Sequence, residues 1–363
     1  MLRLTVPRLL RRWPLDPFIT ALLATVGLAS LLPASGAGAS AVSALGKIAV
    51  GLLFFLYGAR LSTREAMDGL RQWRLHTTVL ACTFVVFPLL GLACRALVPW
   101  LLTPELYHGV LFLTLLPSTV QSSIAFTSIA EGNVAAAVCS ATFSSLLGIL
   151  VTPLLTALLL STSGAGVGAG AVLGIVAQLL LPFVAGQFAR RWIHGWMQRH
   201  SAPLKLVDRG SIVIVVYGAF SAGVTGGIWG MLSLPRLGGL LLVCVVMLAV
   251  LLGLTAWGSR RLGFGRADRI VVVFCGSKKS LASGVPMASV LFAGPAVGLM
   301  VLPLMLFHQI QLMVCAVIAR RWPREREAPA EGRGAGFLPP ARPSSGAGPR
   351  APRIGGAPTR SRS

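Results

Sequence analysis

The 363 residues are 55% hydrophobic and only 12% charged, where an ordinary soluble domain spends roughly 25% of its residues on charge. A soluble globular fold of this size is excluded, and a polytopic membrane protein is indicated. The net charge of +22 comes from 32 Lys and Arg against 10 Asp and Glu. The basic residues gather in short clusters between long uncharged runs, so they read as membrane topology and not as a nucleic-acid surface.

Apolar runs of about 17–25 residues predict ten spanning helices, at 16–33, 42–60, 75–98, 105–130, 134–160, 170–190, 211–231, 237–258, 270–292 and 296–319. The first has a basic start and is followed by the small residues ASGAGASA, the pattern of a cleavable signal; retained as a helix, it lets spans one to five pair with six to ten. Lys47 lies about one turn from the outer end of span two, within snorkelling reach of the interface. Basic clusters follow spans two (Arg60, Arg64, Arg71, Arg74), six (Arg190, Arg191, Arg199, Lys205, Arg209) and eight (Arg260, Arg261, Arg266, Arg269). With Arg3, Arg8, Arg11, Arg12 and the ten arginines of the C-terminal end, twenty-seven basic residues mark one side and only Arg95 and Arg236 the other. That bias puts both termini in the cytoplasm. All six cysteines lie in apolar runs without a CxxC pair and read as small apolar fillers. Residues 323–363, rich in Pro, Gly, Ser and Arg, read as a disordered cytoplasmic tail. Residues 1–322 read as the membrane domain, in two halves, 1–160 and 161–322.

Two spans, fourth of five in each half, break the apolar rule. The first carries Ser118, Thr119, Gln121, Ser122 and Ser123, then Thr127 and Ser128; the second carries Gly276, Ser277, Lys278, Lys279, Ser280 and Ser283. Interrupted segments at matching places in two halves point to a transport site at the bilayer midplane, where broken helices present free backbone N–H and C=O groups. Lys278 and Lys279 are the sharpest feature, because each central lysine costs about 2.5–3.5 kcal/mol to insert. His308, Gln309 and Gln311 of the tenth span are the remaining deep polar groups. All ten carboxylates fall in loops, tails or helix ends, so no conventional buried sodium or proton carboxylate is visible. GSKKS lacks the first Gly of a phosphate-binding loop, and no Ser/His/Asp arrangement lies in mid-membrane; no catalytic residues, enzyme activity, metal centre or cofactor is expected.

The segments FFLYGARLSTREAMDGLRQWRLH, LLPSTVQSSIAFTSIAEGNVAAAVCSATFSSLLGILVTPLL, LPFVAGQFARRWI and FCGSKKSLASGVPMA together resemble the bile acid:sodium symporter superfamily. They look most like its bacterial branch, which is similar to the orphan seventh member of the animal bile acid carrier family. The likeness covers about residues 10–322. It implies an all-α membrane protein of the bacterial inner membrane, with ten helices in two inverted five-helix repeats. It also implies a core and a panel domain, with helices four and nine discontinuous where they cross. Sodium-coupled members place Ser and Asn on the helix-four crossing, hydroxyls on helix five, and Glu followed by Gln on helix nine. Here Ser123 keeps the hydroxyl, Ile124 stands where Asn is expected, and Ser140, Thr142, Ser144 and Ser145 keep helix five polar. Gly276, Ser277, Lys278 and Lys279 replace the Glu–Gln stretch.

The expected function is secondary transport of a small organic, anionic solute by alternating access, without sodium coupling. The substrate-binding candidates are Ser118, Thr119, Gln121, Ser122, Ser123, Gly276, Ser277, Lys278, Lys279, Ser280, His308 and Gln309. If Na⁺ binds at all, its candidate ligands are Ser123, Thr127, Ser140, Thr142 and Ser144. Rival readings are a sodium-coupled bile-acid-type symporter and a non-transporting membrane regulator. One lysine is expected to donate to the freed carbonyls of the crossing and the other to face the substrate. The charge bias carries its own test: a topology reporter fused after Trp322 is expected to be active on the cytoplasmic side, and activity confined to the periplasm would overturn the orientation.

Overall fold

The computed structural model describes residues 17–60, 72–160, 169–227, 230, 233–292 and 296–322. The basic N-terminal segment and the tail expected over 323–363 lie outside them. Among the described residues every regular element is helical. In chain order these are α1 (Pro17–Leu31), α2 (Gly36–Arg60) and α3 (Trp73–Ala81), which runs through a π turn (Cys82–Val86) into α4 (Phe87–Ala93) and a 3₁₀ turn (Cys94–Leu97). There follow α5 (Pro104–Leu115), α6 (Gln121–Ile129), α7 (Val134–Leu160), α8 (Ala169–Arg199) and α9 (Ser201–Thr225). The chain continues through α10 (Leu234–Arg261), α11 (Arg266–Gly276), α12 (Leu281–Leu291) and α13 (Ala296–Arg321).

Six stretches are long and apolar enough to cross a bilayer by length and composition: α2, the α3–α4 run, α7, α9, α10 and most of α13. Half or less of each is buried within the protein. The rest turns residues such as Leu154, Leu158, Leu241, Leu242 and Val246 outward, the face a lipid environment requires.

One agreement with the sequence reading and one difference from it matter for the site. The stretches 105–130 and 270–292 are each two short helices, the interruption expected of the fourth and ninth spans. Helix α5 stops at Leu115 because Leu116, which precedes Pro117, is extended (φ −75°, ψ 155°), as the bulk of a following proline demands. Helix α11 stops after Gly276, and α12 restarts from Ser280, whose hydroxyl caps it by accepting the Ser283 N–H at 3.2 Å. The difference is the start of the span expected at 211–231. Helix α9 begins at Ser201, which carries Lys205, Asp208 and Arg209 on a helix instead of in a loop.

The helices divide by their packing. Helices α1, α2, α8 and α9 pack on one another, with α2 against α8 the most extensive contact in the protein; α3–α7 and α10–α13 form the second group. Helices α9, α8 and α12–α13 supply part of the seam between the groups. Two glycines set the α2–α8 distance: a methyl at Gly58 would be driven into the Phe183 carbonyl, and one at Gly186 into the Phe55 carbonyl. Small residues are what allow membrane helices to approach backbone to backbone. Gly58→Leu and Gly186→Leu are therefore expected to lower the thermal unfolding midpoint of the detergent-solubilised protein, at about 1–3 kcal/mol for each overpacked site. Unchanged midpoints in both variants would rule out this close packing.

Candidate functional site

The two interruptions meet inside the second helix group. The Ser280 N–H donates to the Pro117 carbonyl at 2.9 Å, so the breaks touch backbone to backbone. Each helix that stops there leaves its last carbonyls without intrahelical donors, and the hydroxyls and one amine of the breaks supply them. At the end of α11, Ser277 donates to Val273 (2.6 Å), Ser123 to Phe274 (3.1 Å) and Ser118 to Cys275 (2.6 Å). At the end of α5, Thr152 donates to Leu115 at 2.8 Å. The Nζ of Lys279 donates to Thr114 at 2.7 Å and to Leu116 at 2.6 Å.

The third bond of Lys279 goes to the Thr83 carbonyl of the π turn at 2.8 Å, and the sequence explains why that oxygen is free. The Phe87 N–H reaches back to Cys82 rather than to Thr83, and the next residue, Pro88, has no N–H to offer. Lys279 is completely buried, and all three of its amine donors are used. Its backbone is held as well. The Gln311 side chain accepts from Lys279 N–H at 2.9 Å and donates to its carbonyl at 2.8 Å, with His308 beside that same carbonyl at 3.3 Å. Lys278, equally buried, is handled differently: its Nζ has no hydrogen-bond partner and lies 4.0 Å from the Phe126 ring centre and 5.3 Å from that of Phe274. Ring faces attract a cation but do not replace a hydrogen bond.

A cavity of about 680 Å³ lies between the helix groups. The first group contributes Phe18, Phe54, Tyr57, Arg60, Phe183, Lys205, Asp208 and Arg209; the second contributes Thr119, Gln121, Ser122, Phe126, Thr142, Ser145, Ser280, Ser283 and His308. The Tyr57 hydroxyl reaches the Ala282 carbonyl across the cavity at 3.4 Å. Arg60 and Asp208 form an ion pair at 2.5 Å on its lining.

Of the residues singled out from the sequence, Thr119, Gln121, Ser122, Thr142, Ser145, Ser280, Ser283 and His308 line the cavity. Ser118, Ser123, Ser277 and Lys279 are buried in the bonds between the two breaks, and a methyl at Gly276 would press on Cys82 and Thr255. Neither lysine is on the cavity lining, nor is Gln309. The ion-ligand set is largely committed to protein partners. Ser123 serves Phe274, Ser144 accepts the Ser118 N–H at 2.9 Å, and Ser140 lies 2.7 Å from the His76 ring nitrogen. Thr127 is buried with its hydroxyl unpaired. Among the described residues no group of three or more His, Cys, Asp or Glu is placed to hold a metal ion.

Thr83, Tyr57 and Asp208 are not singled out by the sequence, and Arg60, Lys205 and Arg209 are read from it only as charges that set topology. For Thr83 the usable signal is a proline five residues on. For Lys205, Asp208 and Arg209 it is their i, i+3, i+4 spacing, which shares one helix face.

The sequence matches the SBF-like CPA transporter family over residues 16–324. A protein of Pseudomonas aeruginosa with no described function is 58% identical over 86% of this chain and 94% of its own length. YfeH of Escherichia coli (strain K12), provisionally named a symporter, is 50% identical over the same shares. Sodium/bile acid cotransporter 7 of Rattus norvegicus is 28% identical over 86% of this chain and 93% of its length.

The bonding around the two lysines predicts different responses to one substitution. Lys279→Met leaves three buried carbonyls unmet, at about 1–3 kcal/mol each, and is expected to lower the thermal midpoint in detergent by roughly 10 °C. Lys278→Met removes no hydrogen bond and is expected to leave the midpoint within about 2 °C. Equal losses in the two variants would show that the carbonyl bonds carry no special weight.

Proposed function

The chain belongs to the SBF-like CPA transporter family, and from that premise we propose that it is a secondary transporter of a small organic anion that works without sodium. The proposed architecture is two inverted five-helix repeats with both termini cytoplasmic. The group α1, α2, α8 and α9 is the panel, and the rest is the core, whose discontinuous helices cross at the midplane. Alternating access is movement of core against panel about the cavity, with Thr119, Ser122, Ser280 and His308 as the polar contacts of the solute. The excess of Arg60, Lys205 and Arg209 over Asp208 on the lining supports an anionic solute.

The observation that carries the sodium-independent reading is the Lys279 amine bonded to three backbone carbonyls. A bound cation braces a broken helix by accepting just such oxygens as ligands. Here a covalently attached cation occupies them, and two of the hydroxyls that would complete a sodium shell, Ser123 and Ser144, already serve backbone partners. A tethered ammonium needs no ion gradient to stay in place, so nothing at the crossing demands sodium in each cycle.

Purified protein in proteoliposomes, screened against organic anions, is expected to take up at least one of them at the same rate when Na⁺ is replaced by choline. Loss of uptake in choline would establish sodium coupling. Failure to move any member of a broad anion panel, with folded protein verified, would favour a non-transporting role.

A further inference from the structure

Asp208 is the sole carboxylate among the described residues that line the cavity, and it faces three cations there: Arg60, Lys205 and Arg209. It is 9% exposed, and its two oxygens are treated unequally. Oδ2 accepts from the Arg60 guanidinium, while Oδ1 is buried without a hydrogen-bond partner. A carboxylate offers about four lone-pair sites, and leaving a buried oxygen unmet is unfavourable. Arg60 is a third exposed at its side chain, so the pair is partly screened and weak as ion pairs go. The pair therefore neutralises one cation of the cavity without using the carboxylate well.

We infer that Asp208 is a built-in counter-anion that holds Arg60 while the cavity is empty, and that the anionic group of the solute displaces it. The inference rests on the reading of this cavity as the solute site. A carboxylate, sulfonate or phosphate entering from the cavity can take the guanidinium in a two-pronged geometry, with Lys205 and Arg209 on the same lining as further cations. Displaced, Asp208 turns back to water at the cavity surface. The arrangement sets a threshold: an uncharged solute cannot take Arg60 from its partner, and an anion gains only the difference between its own pairing and that of Asp208. The empty carrier is thereby kept from leaving an unpaired guanidinium in the cavity.

The swap can be tested with inorganic sulfate as the probe, independently of the natural solute. Thermal unfolding of purified protein would be followed during a titration of sulfate against chloride at constant ionic strength. Asp208→Asn, which keeps the shape and removes the charge, frees Arg60; its midpoint is expected to rise by about 5 °C more than that of the wild type, with saturation. The double variant Asp208→Asn, Arg60→Gln should show only the shallow, non-saturating rise that sulfate gives any protein, and Asp208→Glu should behave as the wild type. Asp208→Ala offers the same comparison should the asparagine variant not fold. Equal sulfate-induced shifts in the wild type, Asp208→Asn and the double variant would overturn the inference. An uptake screen on the wild type reports on the proposed function separately: sulfate-responsive Asp208→Asn with uptake of uncharged solutes only would refute the anion carrier and leave the ion-pair exchange standing.

Discussion

The ammonium of Lys279 and the three carbonyls around it are the constraint on which the centre of this protein depends. Two helices stop inside the protein, and a third is widened by a π turn followed by proline. Each event releases backbone oxygens that a dry interior cannot satisfy. One amine meets an oxygen from the π turn and two from the end of α5, so it ties the α3–α4 run to the first broken helix from its seat in the second. The desolvation of a lysine is offset where three charge-assisted bonds replace water. Gln311 then fixes the lysine's own peptide from α13. Four helical segments are in this way referred to one residue.

The small hydroxyls complete what the lysine begins. Ser118, Ser123 and Ser277 close the last carbonyls of α11, and Ser144 on α7 receives the Ser118 N–H. These bonds meet the freed carbonyls of the breaks from within, while Ser280 belongs both to the second break and to the cavity lining. The polar groups of Thr119, Gln121, Ser122, Thr142, Ser280 and His308 are among those on the lining of the space between the helix groups.

Adjacent lysines of the same type thus have different fates. Lys279 is a structural cation; Lys278 sits against Phe126 and Phe274 with no hydrogen bond. The charges that meet the cavity come from the other helix group, from the end of α2 and the first turns of α9. Read along the chain these look like cytoplasmic loop charges, because a bias count assigns them to a side of the membrane and says nothing of the face they occupy.

Composition and charge spacing by themselves determined that the chain is an all-helical membrane protein, and the polar runs Ser118–Ser123 and Ser277–Ser280 marked where its helices break. Those properties follow from local chemistry: the bilayer demands apolar surface, Pro117 disfavours helix at the residue before it, and Ser280 caps the helix that restarts after the second break. Which lysine binds which carbonyl, and which hydroxyls face the cavity rather than the crossing, only the tertiary structure decided. The partners are distant in the chain, with Lys279 reaching Thr83 and Arg60 reaching Asp208. A start for α9 at Ser201 instead of 211 moves a carboxylate from a loop onto the cavity wall. Contacts of that kind depend on helix phase and on which elements are neighbours, and neither is encoded in the hydropathy of a single segment.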